Sequence, residues 1–231
     1  MKTVRIQYLF WTIFAAQLFS ILAGYEWLRI TTKPMICLSL IAIISRTGGE
    51  QVSYSRNLLR GLVFCCLGDI FLMIEGKDIF FISGLAAFLI GHVFYIFQFN
   101  RMLKWKDNQQ LLAFSGTGIM IYGLLMFNRL YPHIGELLVP VILYILVISI
   151  MLFFSVARKR SVSQRSFYLC LSGAVLFVIS DSVLAVNQFD GPVYYGHFWV
   201  MLTYMLAQYC ISKGILVNGA DLKNNILKTP A

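Results

Sequence analysis

The sequence predicts an all-α, polytopic membrane protein, on three observations. The 231 residues are 59% apolar and only 13% charged, against about 25% charged in an ordinary soluble domain. Mean hydropathy is +0.76. Eight apolar stretches of near-spanning length recur along the chain, and the basic residues alternate between the loops that join them. A water-soluble globule is excluded, because the chain has too little polar side chain to cover a surface. Disorder and fibrous repeats are excluded for the same compositional reason.

A membrane helix needs ~20 mainly apolar residues. The stretches run Ile6–Gly24, Ile30–Ser45, Leu58–Ile74, Ile79–Phe99, Gln109–Phe127, Gly135–Ala157, Ser166–Asn187 and Tyr194–Val217. The second is short and opens on Lys33-Pro34, where proline suits a first helical turn because its missing N–H is not needed there. The joining loops are short, so residues 1–231 read as one integral membrane domain with a flexible tail at 220–231. The basic start and apolar run of Met1–Gly24 read as a first span rather than a cleaved signal peptide, since the run is long and no soluble domain follows.

The formal charge of +9 takes its meaning from placement. With eight spans, one membrane face carries Lys2, Arg5, Arg46, Arg56, Arg60, Arg101, Lys104, Lys106, Arg158, Lys159, Arg160, Arg165, Lys213, Lys223 and Lys228. The other face carries only Arg29, Lys33, Lys77 and Arg129. Basic loops stay in the cytoplasm, so both termini are expected there, and the excess charge is a topology signal rather than a nucleic-acid footprint. Short loops suggest a bacterial inner membrane, or the endoplasmic reticulum in a eukaryote. The five cysteines, Cys37, Cys65, Cys66, Cys170 and Cys210, all fall within spans and read as small packing residues.

An ungapped shift of 112 residues lays the third and fourth spans on the seventh and eighth. Gly61 meets Gly173, Val63 meets Val175, Asp69 meets Asp181, Leu72 meets Leu184, Asp78 meets Asp190 and Gly84 meets Gly196. The copies are separated by an even number of spans, so the expected halves, about 1–107 and 108–219, form a parallel 4+4 repeat about an axis along the membrane normal. Asp69 lies six residues before Glu75 and Asp181 six before Asn187. Both therefore sit roughly 9 Å below the same, non-cytoplasmic end.

An ionisable group inside a span costs roughly 2.5–3.5 kcal/mol on insertion scales. Asp69 and Asp181 are the two carboxylates well inside spans, and they are the leading functional candidates against a purely structural, hydrogen-bonded role. Gly84, Phe88, His92 and Tyr95 share one face of the fourth span. His197, Met201, Tyr204 and Gln208 share one face of the eighth, at helical spacings of three, four and seven. Ser180 precedes Asp181, and Lys33 at the same mouth suits a phosphate as a point charge. His92, His133 and His197 lack the spacings of a zinc site, so no metal is expected. A G-x-S-x-G elbow and a P-loop are both missing from the sequence.

The run Gly68-Asp69-Ile70-Phe71-Leu72, followed by Gly84, Phe88, His92 and Tyr95, resembles the YhhN family of membrane proteins, the lysoplasmalogenases. So do Thr32-Lys33-Pro34, Ser180-Asp181-Ser182-Val183-Leu184 and the late Thr203-Tyr204 with Gln208. The resemblance runs from about Lys33 to Gln208. It implies an eight-span enzyme, without metal or organic cofactor, that hydrolyses the vinyl ether bond of lysoplasmalogens. The products would be a fatty aldehyde and glycerophosphocholine or glycerophosphoethanolamine, and the partners a lysophospholipid substrate and membrane lipids.

The residues suit that chemistry. Protonation of the outer alkene carbon gives an oxocarbenium ion, water adds, and the hemiacetal collapses. Two carboxylates serve a similar cation in glycosidases. Two close acids in a low-dielectric pocket do not both ionise easily, so the expectation is one protonated acid and one base, drawn from Asp69 and Asp181. His92, Tyr95, Ser180, Tyr204 and Gln208 are expected to position water or substrate, and Lys33 the headgroup. Two alternatives stay open. Paired acids at a repeat interface also fit a proton-coupled lipid or small-molecule transporter, which a broken helix beside them would favour. A related intramembrane lipid hydrolase with another substrate fits as well.

Overall fold

The computed structural model describes residues 2–74, 78–101, 103 and 109–228. Among them no strand occurs, and nearly every residue is helical. The order is α1 (Lys2–Ala23), α2 (Glu26–Ser45), α3 (Gly49–Tyr54), α4 (Arg56–Phe71), α5 (Asp78–Asn100), α6 (Gln109–Leu130), α7 (Leu138–Ala157), α8 (Gln164–Ala185) and α9 (Gly196–Lys228). Each of the eight apolar stretches overlaps one helix. Among the described residues six helical segments are long and apolar enough to cross a membrane, in α2 and in α5 to α9. The apolar part of α1, Gln7–Ala23, is shorter, and α4 has only 16 residues. Glu75 and Lys77, used above to gauge depth and charge, lie outside the described residues.

Three boundaries differ from expectation for physical reasons. Helix α2 begins at Glu26, so Pro34 lies in its interior and not in its first turn. An interior proline frees the carbonyl four residues earlier, and such helices persist in membranes where nearby hydroxyls and neighbours compensate. Thr31 and Thr32 lie in this stretch, and both donate to Leu28 O, at 3.0 and 2.7 Å, two residues before the Ile30 carbonyl that Pro34 frees. Helix α8 passes at Val186–Asp190 into a π-helical turn. Asn187 Oδ1 accepts from Val193 N at 3.0 Å, which ties this turn to the approach of α9. Helix α9 continues past Val217 to Lys228. The short helix α3, opened by Gly48 at φ 102°, had no counterpart in the apolar pattern.

Two helix hairpins organise the bundle, α4 with α5 and α8 with α9. Glycines permit their close approach. A Cβ on Gly173 would lie 2.7 Å from Ile211 Cγ1 and 2.9 Å from the Ala207 carbonyl, and one on Gly61 would run into the Tyr95 ring. Under the 112-residue shift Gly61 corresponds to Gly173 and Tyr95 to Ala207, so the two hairpins touch at corresponding positions. Helix α9 is the most enclosed, with half of its apolar stretch buried, and α6 the most peripheral, with 6%. Large apolar side chains such as Leu124, Leu125 and Leu146 face outward, as expected where lipid is the solvent. The aromatics Tyr25, Trp27, Tyr131, Tyr194 and Tyr195 are exposed around the loops at one end, as in an interfacial belt. The C-terminal ends of α4 and α8 lie toward that end.

Candidate active site

A cavity of about 170 Å³ opens between the C-terminal halves of α4 and α8. Its polar lining comes from five helices, with Gln17 of α1, Arg29 and Lys33 of α2, Asp69 of α4, Ser180 and Asp181 of α8 and His197 and Tyr204 of α9, and from Asn187 and Gln188 in the turn after α8. The two carboxylates singled out in the sequence thus face one chamber. Gly68 is what allows the wall to close beside Asp69, since a Cβ there would lie 2.6 Å from the Phe88 ring. Phe88 in turn packs edge-on against Tyr204, with centroids 5.8 Å apart.

The two carboxylates have different neighbours. Asp69 is buried. Its Oδ2 accepts a 2.7 Å hydrogen bond from Tyr204 Oη, and its Oδ1 lies 3.8 Å from Lys33 Nζ. Cys37 completes this cluster, with Sγ 3.2 Å from Tyr204 Oη and 3.9 Å from Asp69 Oδ2. Asp181 Oδ2 accepts a 2.6 Å hydrogen bond from Tyr144 Oη of α7, and His92 Nε2 stands 3.8 Å away. One aspartate is therefore set beside a cation, and the other among an imidazole and a phenol.

Lys33, Asp69, Ser180, Asp181 and Tyr204 line the chamber. Ser180 Oγ donates to Val200 O at 3.0 Å, which braces α8 on α9. His92, Tyr95 and Gln208 lie behind the wall. Tyr95 Oη donates to Gln208 Oε1 at 2.6 Å, and the His92 ring meets Phe177 edge-on at 4.6 Å. Both His92 ring nitrogens are buried without a hydrogen-bond partner among the described residues. Of the other residues on the expected α9 stripe, His197 lines the chamber mouth and Met201 its side.

Sequence reasoning missed Tyr144, Cys37, Arg29 and Gln17. Gln17 lines the chamber, shares a hydrogen bond with Thr32, and keeps Nε2 without a partner among the described residues. Arg29 carried a readable signal, since it stands one helical turn before Lys33. Tyr144 and Cys37 carried none beyond their type. Among the described residues no group of three or more His, Cys, Asp or Glu is placed to hold a metal ion.

Fold and site together define a helical integral membrane protein with a two-carboxylate chamber enclosed in its bundle. Residues 28–215 match the YhhN family, and the chain belongs to that family. It is 31% identical over 185 residues to the human lysoplasmalogenase TMEM86A, covering 78% of this chain and 73% of the relative. With the human lysoplasmalogenase TMEM86B it shares 30% identity over 184 residues, 79% and 72% of the two chains. A lysoplasmalogenase of Mycobacterium tuberculosis is 26% identical over 158 residues, 67% of this chain and 56% of that one. No solved structure matches the chain.

Proposed function

We propose that the chain hydrolyses the vinyl ether bond of a lysoplasmalogen, releasing a fatty aldehyde and a glycerophospho-alcohol, with Asp69 and Asp181 as the acid–base pair. The observation that carries this is the meeting of the two intramembrane carboxylates in one chamber. The relatives named lysoplasmalogenase supply the substrate class.

Charge divides the roles. Asp69, beside the Lys33 ammonium, suits the anionic base that takes a proton from water. Asp181, whose neighbours are a phenol and an imidazole where Asp69 has an ammonium, suits the acid that protonates the outer alkene carbon. The resulting oxocarbenium ion lies between the two carboxyl groups, where a carboxylate stabilises it electrostatically. Water activated by Asp69 adds to the cationic carbon, and collapse of the hemiacetal returns a proton to the glycerol oxygen. His92, 3.8 Å from Asp181, is within reach of a one-water relay. Lys33, Arg29 and Gln17 on the α2 and α1 side suit a phosphate headgroup.

The surrounding architecture is proposed as eight spans in a parallel 4+4 repeat, with both termini in the cytoplasm of a bacterial cell and 1–231 forming one membrane domain. The matched hairpin contacts at Gly61 and Gly173 support the repeat. Asp69 and Asp181 lie in the last turns of α4 and α8, and what favours hydrolysis over transport is the kinship with relatives named lysoplasmalogenase. The test is aldehyde release from purified protein and 1-alkenyl lysophospholipid. Asp69→Asn and Asp181→Asn are each expected to lose about 10²–10⁴-fold in kcat, the usual share of a general acid or base. Activity surviving in both variants refutes the two-carboxylate mechanism.

A further inference from the structure

Helices α6 and α7 contribute nothing to the polar chamber's lining, yet they enclose the other side of Asp181. A second, narrow cavity of about 60 Å³ lies between α5, α6, α7 and α8. Its walls are largely apolar, with Leu85, Met126, Val141 and Ile148 among them, and Asp181 belongs to it as well. The two cavities share Phe81, Asp181 and Leu184. The carboxyl of Asp181 therefore marks a border between a polar space and an apolar one.

On its far side the apolar cavity meets a broad groove of about 660 Å³ between α6 and α7. Ile119, Gly123, Ile145 and Ser149 line both. The groove lies on the outside of the bundle, where Met120 and Leu124 are exposed. The Asp69 chamber, the apolar cavity and the lipid-facing groove thus adjoin in series, with common walls at Asp181 and at Gly123.

We propose that the apolar cavity and the α6–α7 groove form the hydrocarbon-chain subsite of a single-chain lipid, with Gly123 setting the width of the slot. Placing the scissile bond at Asp181 rests on the vinyl ether chemistry proposed above. In a 1-alkenyl lysolipid that bond joins a polar glycerol to a hydrocarbon chain, as Asp181 joins the two cavities. The outer alkene carbon, which takes the proton, then lies on the chain side, next to the aspartate assigned as acid. A cavity of 60 Å³ is far below the ~300–1,000 Å³ of pockets that enclose a whole small molecule. A long chain must therefore continue through the slot into the groove. At Gly123 an added Cβ would lie 3.4 Å from Ile145 Cγ2 and 3.5 Å from Ser149 Oγ. A single methyl is accommodated there, and a larger side chain fills the slot.

Two measurements test the subsite. The first is the ratio of kcat/KM for a long-chain to a short-chain 1-alkenyl glycerophosphoethanolamine. Gly123→Leu is expected to lower that ratio about tenfold, a usual size for discrimination by an apolar pocket. Gly118→Leu on the same helix, where nothing lies within 4 Å, is expected to leave it unchanged. A ratio that Gly123→Leu does not move overturns the proposal. The second uses a saturated 1-alkyl lysolipid carrying a photoreactive diazirine at the chain end, bound to the unmodified protein. Crosslinks are expected on α6 and α7, near Met120, Ile145 and Phe153, and crosslinks confined to other helices overturn the proposal. Labelling of α6 and α7 in a protein that releases no aldehyde supports the chain subsite and refutes the hydrolytic function instead.

Discussion

Replacing Tyr144 with phenylalanine removes one oxygen from the site and almost nothing else. The phenol makes a 2.6 Å hydrogen bond to Asp181 Oδ2, while its ring packs edge-on against His92 at 5.6 Å. Phenylalanine keeps the ring, so α7 stays seated on α5. Asp181 becomes a carboxylate as it gives up its proton, and a hydrogen bond to a charged group contributes about 1.5–3 kcal/mol. If that interaction orients Asp181 in the transition state, its loss lowers kcat/KM about 10- to 150-fold, at ~1.4 kcal/mol per factor of ten. The assay is aldehyde release from 1-alkenyl lysophospholipid, with thermal unfolding in detergent to show that the variant is folded. A double-mutant cycle sharpens it: in an Asp181→Asn background, Tyr144→Phe is expected to cost nothing further, because no carboxylate develops there for the phenol to stabilise. A loss under about twofold in the single variant, or full additivity in the cycle, refutes the view that Tyr144 acts through Asp181 on the reaction.

Other expectations follow from the same geometry. Lys33→Met is expected to raise KM about tenfold for a phosphate-bearing substrate, the loss of about 1.4 kcal/mol of headgroup contact, and to leave the KM of a 1-alkenylglycerol unchanged; an equal rise for both removes Lys33 from the headgroup site. Gly173→Ala is expected to lower stability by about 1–3 kcal/mol, as overpacking does, because the new methyl meets Ile211 and the Ala207 carbonyl. Gly118→Ala, in open space, is expected to hold or raise stability by up to about 1 kcal/mol through helix propensity, and thermal unfolding of the two variants checks the pair. Chelation is expected to leave activity intact; a loss restored by zinc would make the enzyme a metal hydrolase.

Much of this was legible because charge is conspicuous in an apolar chain. The apolar stretches could be read because a span needs length and hydrophobicity together; each overlaps a helix, and six of the described helices are long and apolar enough to cross a membrane. Asp69 and Asp181 stood out because a carboxylate inside a span is costly, and they meet in one chamber. The start of α2 was misplaced because proline signals a helix start in water, whereas in α2 it lies in the interior. Tyr144 was hidden for a different reason. It is a single phenol in the most apolar of the spans, where tyrosine ordinarily reads as lipid-facing or interfacial, and only the rotation of α7 toward α8 brings it to Asp181. Cys37 was read as a packing residue, and its 3.2 Å approach to Tyr204 depends on how α2 and α9 cross. Helix contacts of this kind rest on three-dimensional registry, which a periodic pattern does not encode.

The central claim is that Asp69 and Asp181 deliver a proton to an alkene carbon and a water to its neighbour. It is tested most directly by turnover of a 1-alkenyl lysophospholipid in D₂O, with the aldehyde trapped at once by reduction and analysed by mass. The expected product carries one deuterium on the carbon next to the former carbonyl, and its formation collapses in Asp69→Asn and Asp181→Asn. Intact lipid recovered on the opposite side of a proteoliposome, or an aldehyde without that deuterium, would contradict the account.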